Sequence, residues 1–289
     1  MNAIGVRSWR GASASALILI MTAATVGVVG PARADPAVQV ANPVRVAVTS
    51  ASNSISKSVT VNCPVGQRVY GAGGEINGGS GNVTLDDITP NLTLTSVFVT
   101  AAENGAFAGN WTVTGYAICG PNTLNLQRIQ FTSATNSLSS KSVFAGCPTG
   151  LRLYGLGAEL NGASGAVFFD DLTPNAGLTG VTVTAFENGA FAGNWSVTGF
   201  AICGNPATTM TRVVASSATN SLSLKSVFAG CPAGTRVHGV GAEIDGAIGN
   251  VVIDDLTPHP SLLGATASGF ENGAFAGNWR VTAYAICAS

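Results

Sequence analysis

A single interval of 84 residues organises this chain and limits what it can fold into. Cys63, Cys147 and Cys231 are 84 apart, and so are Cys119, Cys203 and Cys287. Trp111, Trp195 and Trp279 keep the same spacing, and the block ENGAFAGNW stands unchanged at 103–111, 187–195 and 271–279. Self-similarity at a fixed period means three copies of one structural unit. The copies begin near Arg45, Arg128 and Arg212, and the one change of length is a single residue between Asn53 and Lys57 compared with Asn136 to Lys141. No Pro-rich or Ser-rich linker intervenes, so neighbouring copies are expected to abut.

Within a copy, the pattern reads as strands. In KSVTVNC, Val59, Val61 and Cys63 share one parity; in WTVTGYAIC, Trp111, Val113, Ala117 and Cys119 share one face and Thr112 and Thr114 point away. Alternation with a period of two is the signature of a half-buried strand. RVYGAGGEI, NVTLDDI and SVFVTAA supply further strands, and Asn77-Gly78, Asn161-Gly162 and Asp245-Gly246 mark tight turns. Six or seven short strands per copy predict an all-β chain of three tandem small β-sandwiches. The alternative is a single three-fold β-prism with one copy per wall. Eighty-four residues exceed what one wall needs, which favours the sandwiches.

Six cysteines permit 15 pairings, and two per copy make the intra-copy solution the simplest: Cys63–Cys119, Cys147–Cys203 and Cys231–Cys287. A bond between an early and a late strand implies that each copy closes on itself. Both cysteines fall on the apolar strand face, beside the tryptophan. No CxxC or Cys/His metal spacing occurs.

Residues 1–34 read as a signal peptide. Arg7 and Arg10 form a basic start, Ala14 to Val29 is apolar, and Ala32-Arg33-Ala34 gives an A-x-A cleavage pattern. The expected mature organisation is repeat 1 over 35–127, repeat 2 over 128–211 and repeat 3 over 212–289. The apolar run is short for a bilayer span, so the expected product is secreted, extracellular or cell-wall associated, without stable membrane insertion. Without its leader arginines the chain keeps ten basic residues against 14 acidic ones, and no basic stripe exists. That argues against nucleic-acid partners.

Seven triplicated places hold all but three of the mature charges. Four are acidic (Glu75, Asp86, Asp87, Glu103 and their equivalents) and three are basic (Arg45, Lys57, Arg68 and theirs). The pairs Asp86-Asp87, Asp170-Asp171 and Asp254-Asp255 are candidate oxygen ligands for calcium. No D-x-D-x-D-G loop accompanies them, and a turn-forming role is the competing reading. No other cofactor is implied.

The repeated nine-residue block is the candidate binding surface. Glu103, Asn104, Phe107 and Asn110, with Glu187, Asn188, Phe191 and Asn194 and with Glu271, Asn272, Phe275 and Asn278, could set an aromatic platform beside amide and carboxylate groups, as a sugar site requires. The competing reading tucks each Phe back into a hairpin. Catalysis has little support. His238 and His259 both lie in the third copy, at places held by Tyr70 and Asn91 in the first, so no repeated Ser/His or Cys/His arrangement exists.

The paired motifs CPVGQRVYG with WTVTGYAIC, CPTGLRLYG with WSVTGFAIC, and CPAGTRVHG with WRVTAYAIC resemble those of exported repeat proteins of high-GC Gram-positive bacteria. The resemblance spans nearly the whole mature chain and implies export but no particular activity. A looser likeness, to the β-prism of vitelline membrane outer layer proteins, rests on CPxG and the triplication alone. The expectation is therefore a non-enzymatic secreted binding protein, multivalent for carbohydrate or cell-wall surfaces. A structural or protective envelope protein comes second, and a carboxylate-based glycoside hydrolase third.

Overall fold

The computed structural model describes residues 42–289, so the expected signal peptide and its cleavage point lie outside the described residues. The fold is all-β, and among the described residues no helix is long and apolar enough to cross a membrane. Each copy contributes six strands. The first has β1 (Val44–Thr49), β2 (Lys57–Asn62), β3 (Gln67–Asn77), β4 (Val83–Pro90), β5 (Ser96–Glu103) and β6 (Thr112–Pro121). The second has β7 (Gln127–Thr132), β8 (Ser140–Gly146), β9 (Arg152–Asn161), β10 (Val167–Pro174), β11 (Gly180–Glu187) and β12 (Ser196–Gly204). The third has β13 (Met210–Ser216), β14 (Leu224–Gly230), β15 (Arg236–Asp245), β16 (Val251–Pro258), β17 (Gly264–Glu271) and β18 (Arg280–Ala288).

In the first copy, β1-β6-β3 and β2-β5-β4 are two antiparallel half-sheets that pack face to face. A Cβ added to Gly115 on β6 would meet Val59, Val61 and Val99 of the opposite half-sheet. The alternation in β2 is realised: Val59 and Val61 are buried while Ser58, Thr60 and Asn62 are exposed. The expected disulfides form, Cys63–Cys119, Cys147–Cys203 and Cys231–Cys287, each across a sequence separation of 56 residues. Each ties one half-sheet to the other and stabilises its unit by roughly 4 kcal/mol in the chain-entropy view. Three closed disulfides suit an oxidising compartment.

The sandwiches do not stand apart. Each half-sheet continues, edge to edge, into a half-sheet of a neighbouring copy. The three six-stranded sheets run β1-β6-β3-β16-β17-β14, β13-β18-β15-β10-β11-β8 and β2-β5-β4-β9-β12-β7. At the seams Asp87 faces Glu159, Asp171 faces Glu243 and Asp255 faces Glu75. Every copy shares one sheet with each of the other two, so the chain closes into a ring. This explains why β6, β12 and β18 are buried almost throughout. Their two faces are covered, one by their own sandwich and one by the neighbouring copies.

Two β-bulges per copy shape the ring. One inserts Tyr70, Tyr154 or His238 as the extra residue of its strand. These three fully buried rings meet on a pseudo-three-fold axis: Tyr70 stacks on His238 at 5.3 Å between ring centroids, with Tyr154 at 6.1 and 5.6 Å from the two. The backbones crowd so closely there that a Cβ on Gly71 would lie 1.9 Å from the His238 carbonyl oxygen. Glycine is the residue that permits such an approach. The other bulge inserts Asp86, Asp170 or Asp254 beside a seam.

Candidate functional site

The ENGAFAGNW block closes on itself. Each Trp is buried and donates its indole N–H to the block's own carboxylate: Trp111 to Glu103 at 2.9 Å, Trp195 to Glu187 at 3.0 Å and Trp279 to Glu271 at 2.9 Å. A lysine covers the indole face, with the Nζ of Lys57 3.6 Å from the Trp111 ring and those of Lys141 and Lys225 at 4.5 and 4.6 Å. Burial holds these lysines below their ordinary pKa, with the facing glutamate opposing that shift. The ring of Phe107 folds back over Gly109, where a Cβ would sit 2.4 Å from the phenyl Cζ, and Phe191 and Phe275 do the same over Gly193 and Gly277. All three rings are half-buried and packed against the core. Of the residues expected to form a sugar platform, Asn110, Asn194 and Asn278 are exposed, and Asn104, Asn188 and Asn272 are partly so. Glutamate and phenylalanine face inward, which favours the hairpin reading of the block.

The aspartate pairs lie at the seams, on the sheet face away from the sandwich core. Across each six-stranded sheet runs one continuous polar row: Thr132, Thr198, Glu159, Asp87, Thr100 and Ser58 in one of them. Thr132 and Thr198 share a hydrogen bond of 2.8 Å, and Thr100 donates to Asp87. The bulged aspartates are about nine-tenths buried where they stand at Asp86 and Asp170. Burial, and then the charge of the adjoining aspartate, raises Asp86 to about 7 and Asp170 and Asp254 to about 8. Burial is also the first cause of the rise of Asp171 and Asp255 to about 6, opposed by hydrogen bonds from Thr184 and Ser268. Asp86 lines a shallow pocket of about 250 Å³ together with Ser58, Thr100 and Ser164, the last from the neighbouring copy. Among the described residues no group of three or more His, Cys, Asp or Glu is placed to hold a metal ion.

A different set of aromatic rings is presented to solvent. Phe144 on β8 and Phe228 on β14 are 48% and 47% exposed, and Phe98 on β5 is 41% exposed. Phe144 lies over Gly180 and Phe228 over Gly264; a Cβ on either glycine would come within 2.4 Å of the ring. The rings therefore rest flat on the sheet. Phe98 and Thr60 face each other across β2 and β5, as Phe144 faces Thr182 and Phe228 faces Thr266. Thr89, Thr173 and Thr257, next in the same row, each carry a buried hydroxyl without a hydrogen-bond partner. The signal for these rings was in the sequence. The parity that turns Val143, Ala145 and Cys147 inward turns Phe144 outward.

Compared with known proteins, the chain matches no family model and no curated protein.

Proposed function

We propose that this protein is a secreted, non-enzymatic module that binds carbohydrate surfaces through three equivalent faces. The supporting observation is the outward phenyl ring on each copy, Phe98, Phe144 and Phe228, laid on a strand face among threonine hydroxyls. A flat apolar ring beside hydroxyl groups suits the apolar face and hydroxyl rim of a pyranose. The edge-paired ring of copies holds the three faces in a fixed relation. Weak contacts then gain avidity wherever a polymer or cell wall reaches more than one.

The carboxylates support binding better than hydrolysis. The seam aspartates are buried in pairs within the sheet and the block glutamates are engaged by tryptophan. A glycan array and a cell-wall pull-down with the mature chain, with and without calcium, test the reading, alongside the triple variant F98A/F144A/F228A. Binding by the wild type that is lost in the triple variant, at unchanged melting temperature, is the expected result. Absence of any glycan or wall binding, with the protein associating only with itself, would move the assignment to a structural envelope protein.

A further inference from the structure

The six arginines at triplicated places face the junctions between copies, and one junction opens into a pocket. Arg152, at the start of β9 in the second copy, and Arg212, on β13 in the third, line a cavity of about 270 Å³ with the Ala176–Leu178 loop and Thr211. Each guanidinium has five N–H donors in a rigid planar fork. The hydrogen bonds found for them use few of these: Arg152 donates to the Leu151 carbonyl at 3.1 Å and Arg212 to the Pro174 carbonyl at 2.7 Å. Arg212 also lies over the Tyr284 ring, 5.3 Å from its centroid. Neither forms an ion pair; among the described residues the one ion pair is Arg280 with Asp245. Glu243, which accepts the Tyr284 hydroxyl beneath Arg212, does not line the cavity.

Two positive forks with unused donors, converging on a water-filled cavity that no carboxylate lines, form a receptor for a negative oxygen cluster. We propose that the Arg152–Arg212 pocket binds an oxyanion, a carboxylate or sulfate group, at the junction of the second and third copies. The chemistry recurs around the ring. At the junction of the first two copies Arg128 donates to the Pro90 carbonyl at 2.8 Å as Arg212 does to Pro174, and its Nε is buried without a partner. At the remaining junction Arg236 lines a smaller cavity of about 150 Å³ with Asn42 and Pro43, next to the strand that carries Arg45. The Nε of Arg45 is likewise buried without a partner. This site is distinct from the phenyl faces and does not depend on them.

The test follows backbone amide resonances of Ala176, Gly177, Leu178 and Thr211 in the labelled mature chain during titration with sodium sulfate, sodium glucuronate, an oligosaccharide of glucuronate, and glucose. Saturable shifts at these amides with the anions and none with glucose are expected. R152Q and R212Q should each weaken that response at least tenfold, and R212K, which keeps the charge and loses the fork, should weaken it less. R280Q, outside the cavity, should leave it unchanged, and melting temperatures identify any variant that merely unfolds. Equal affinity for sulfate and oligosaccharide supports a site for free oxyanions. At least tenfold tighter binding of the oligosaccharide supports an acidic-glycan site. No saturable shift with any anion, or shifts that persist in R152Q and R212Q, overturns the proposal. The F98A/F144A/F228A variant keeps the response if the two sites are separate, so failure of one reading is distinguishable from failure of the other.

Discussion

Raising the pH should destabilise this protein, because its seams bury carboxyl groups that folding holds protonated. Asp170 illustrates the effect. Its pKa is about 8 in the folded chain against 3.8 for the free side chain, first through burial and then through the charges of Asp171, Asp245 and Glu243. A group whose pKa rises on folding contributes stability that is complete below its unfolded pKa and is lost as pH climbs through the folded one. Each pKa unit corresponds to about 1.4 kcal/mol, so the ceiling for Asp170 is about 5 kcal/mol across that window. Solvent at its exposed edge lowers the expected loss to about 1–3 kcal/mol. Asp86 and Asp254 occupy the equivalent places and shift in the same direction. His238 works the other way: burial holds it near 4, below its ordinary 6.5, so its contribution is present above pH 6.5 and lost as pH falls through 4. Three aspartates outweigh one histidine, which places maximal stability near pH 4–5. Urea unfolding at pH 5 and pH 8 measures this directly. D170N, which cannot ionise, should match the wild type at pH 5 and exceed it by about 1–3 kcal/mol at pH 8. A wild-type stability that is flat or rising from pH 5 to 8, or a D170N with no advantage at pH 8, refutes the reasoning.

Three further outcomes are expected. Gly120 and Gly204 make room for Tyr70 and Tyr154, a Cβ on Gly120 falling 2.3 Å from the Tyr70 ring, whereas Ala288 stands at the matching place beside His238. H238Y alone should therefore cost about 1–3 kcal/mol by overpacking, and H238Y/A288G should recover most of it, as a double-mutant cycle of melting curves would reveal. E187A leaves the buried Trp195 indole N–H without an acceptor, and chemical denaturation should register a loss of about 1–3 kcal/mol. C147S/C203S removes a tie between half-sheets, and the denaturation midpoint should fall by the equivalent of about 3–4 kcal/mol, with reduction of the wild type moving it the same way.

How much of this was legible beforehand varies by residue. The triplication, the pairing of Cys63 with Cys119, and the inward parity of Val59, Val61 and Trp111 follow from spacing, because the two-residue period of a strand is written directly in the chain. The inward turn of Phe107, Phe191 and Phe275 was an open choice. Loop composition says that glycine flanks the ring without saying which glycine lies beneath it. The tertiary structure alone decided that the sandwiches share sheets. Edge pairing of β4 with β9 requires complementary backbone geometry between distant strands, and side-chain alternation is the same whether an edge is free or paired. The bulges were hidden for a related reason. One extra residue shifts the parity of Asp86 and of Tyr70, and it was read as ordinary strand until its partners Leu85 and Val69 were found opposite Ala101 and Cys119. The sequence thus determined what each copy is made of and how its disulfide closes it. The third dimension decided how three copies lock together, and with that the raised pKa of the aspartates at the seams and the arginine pocket between copies.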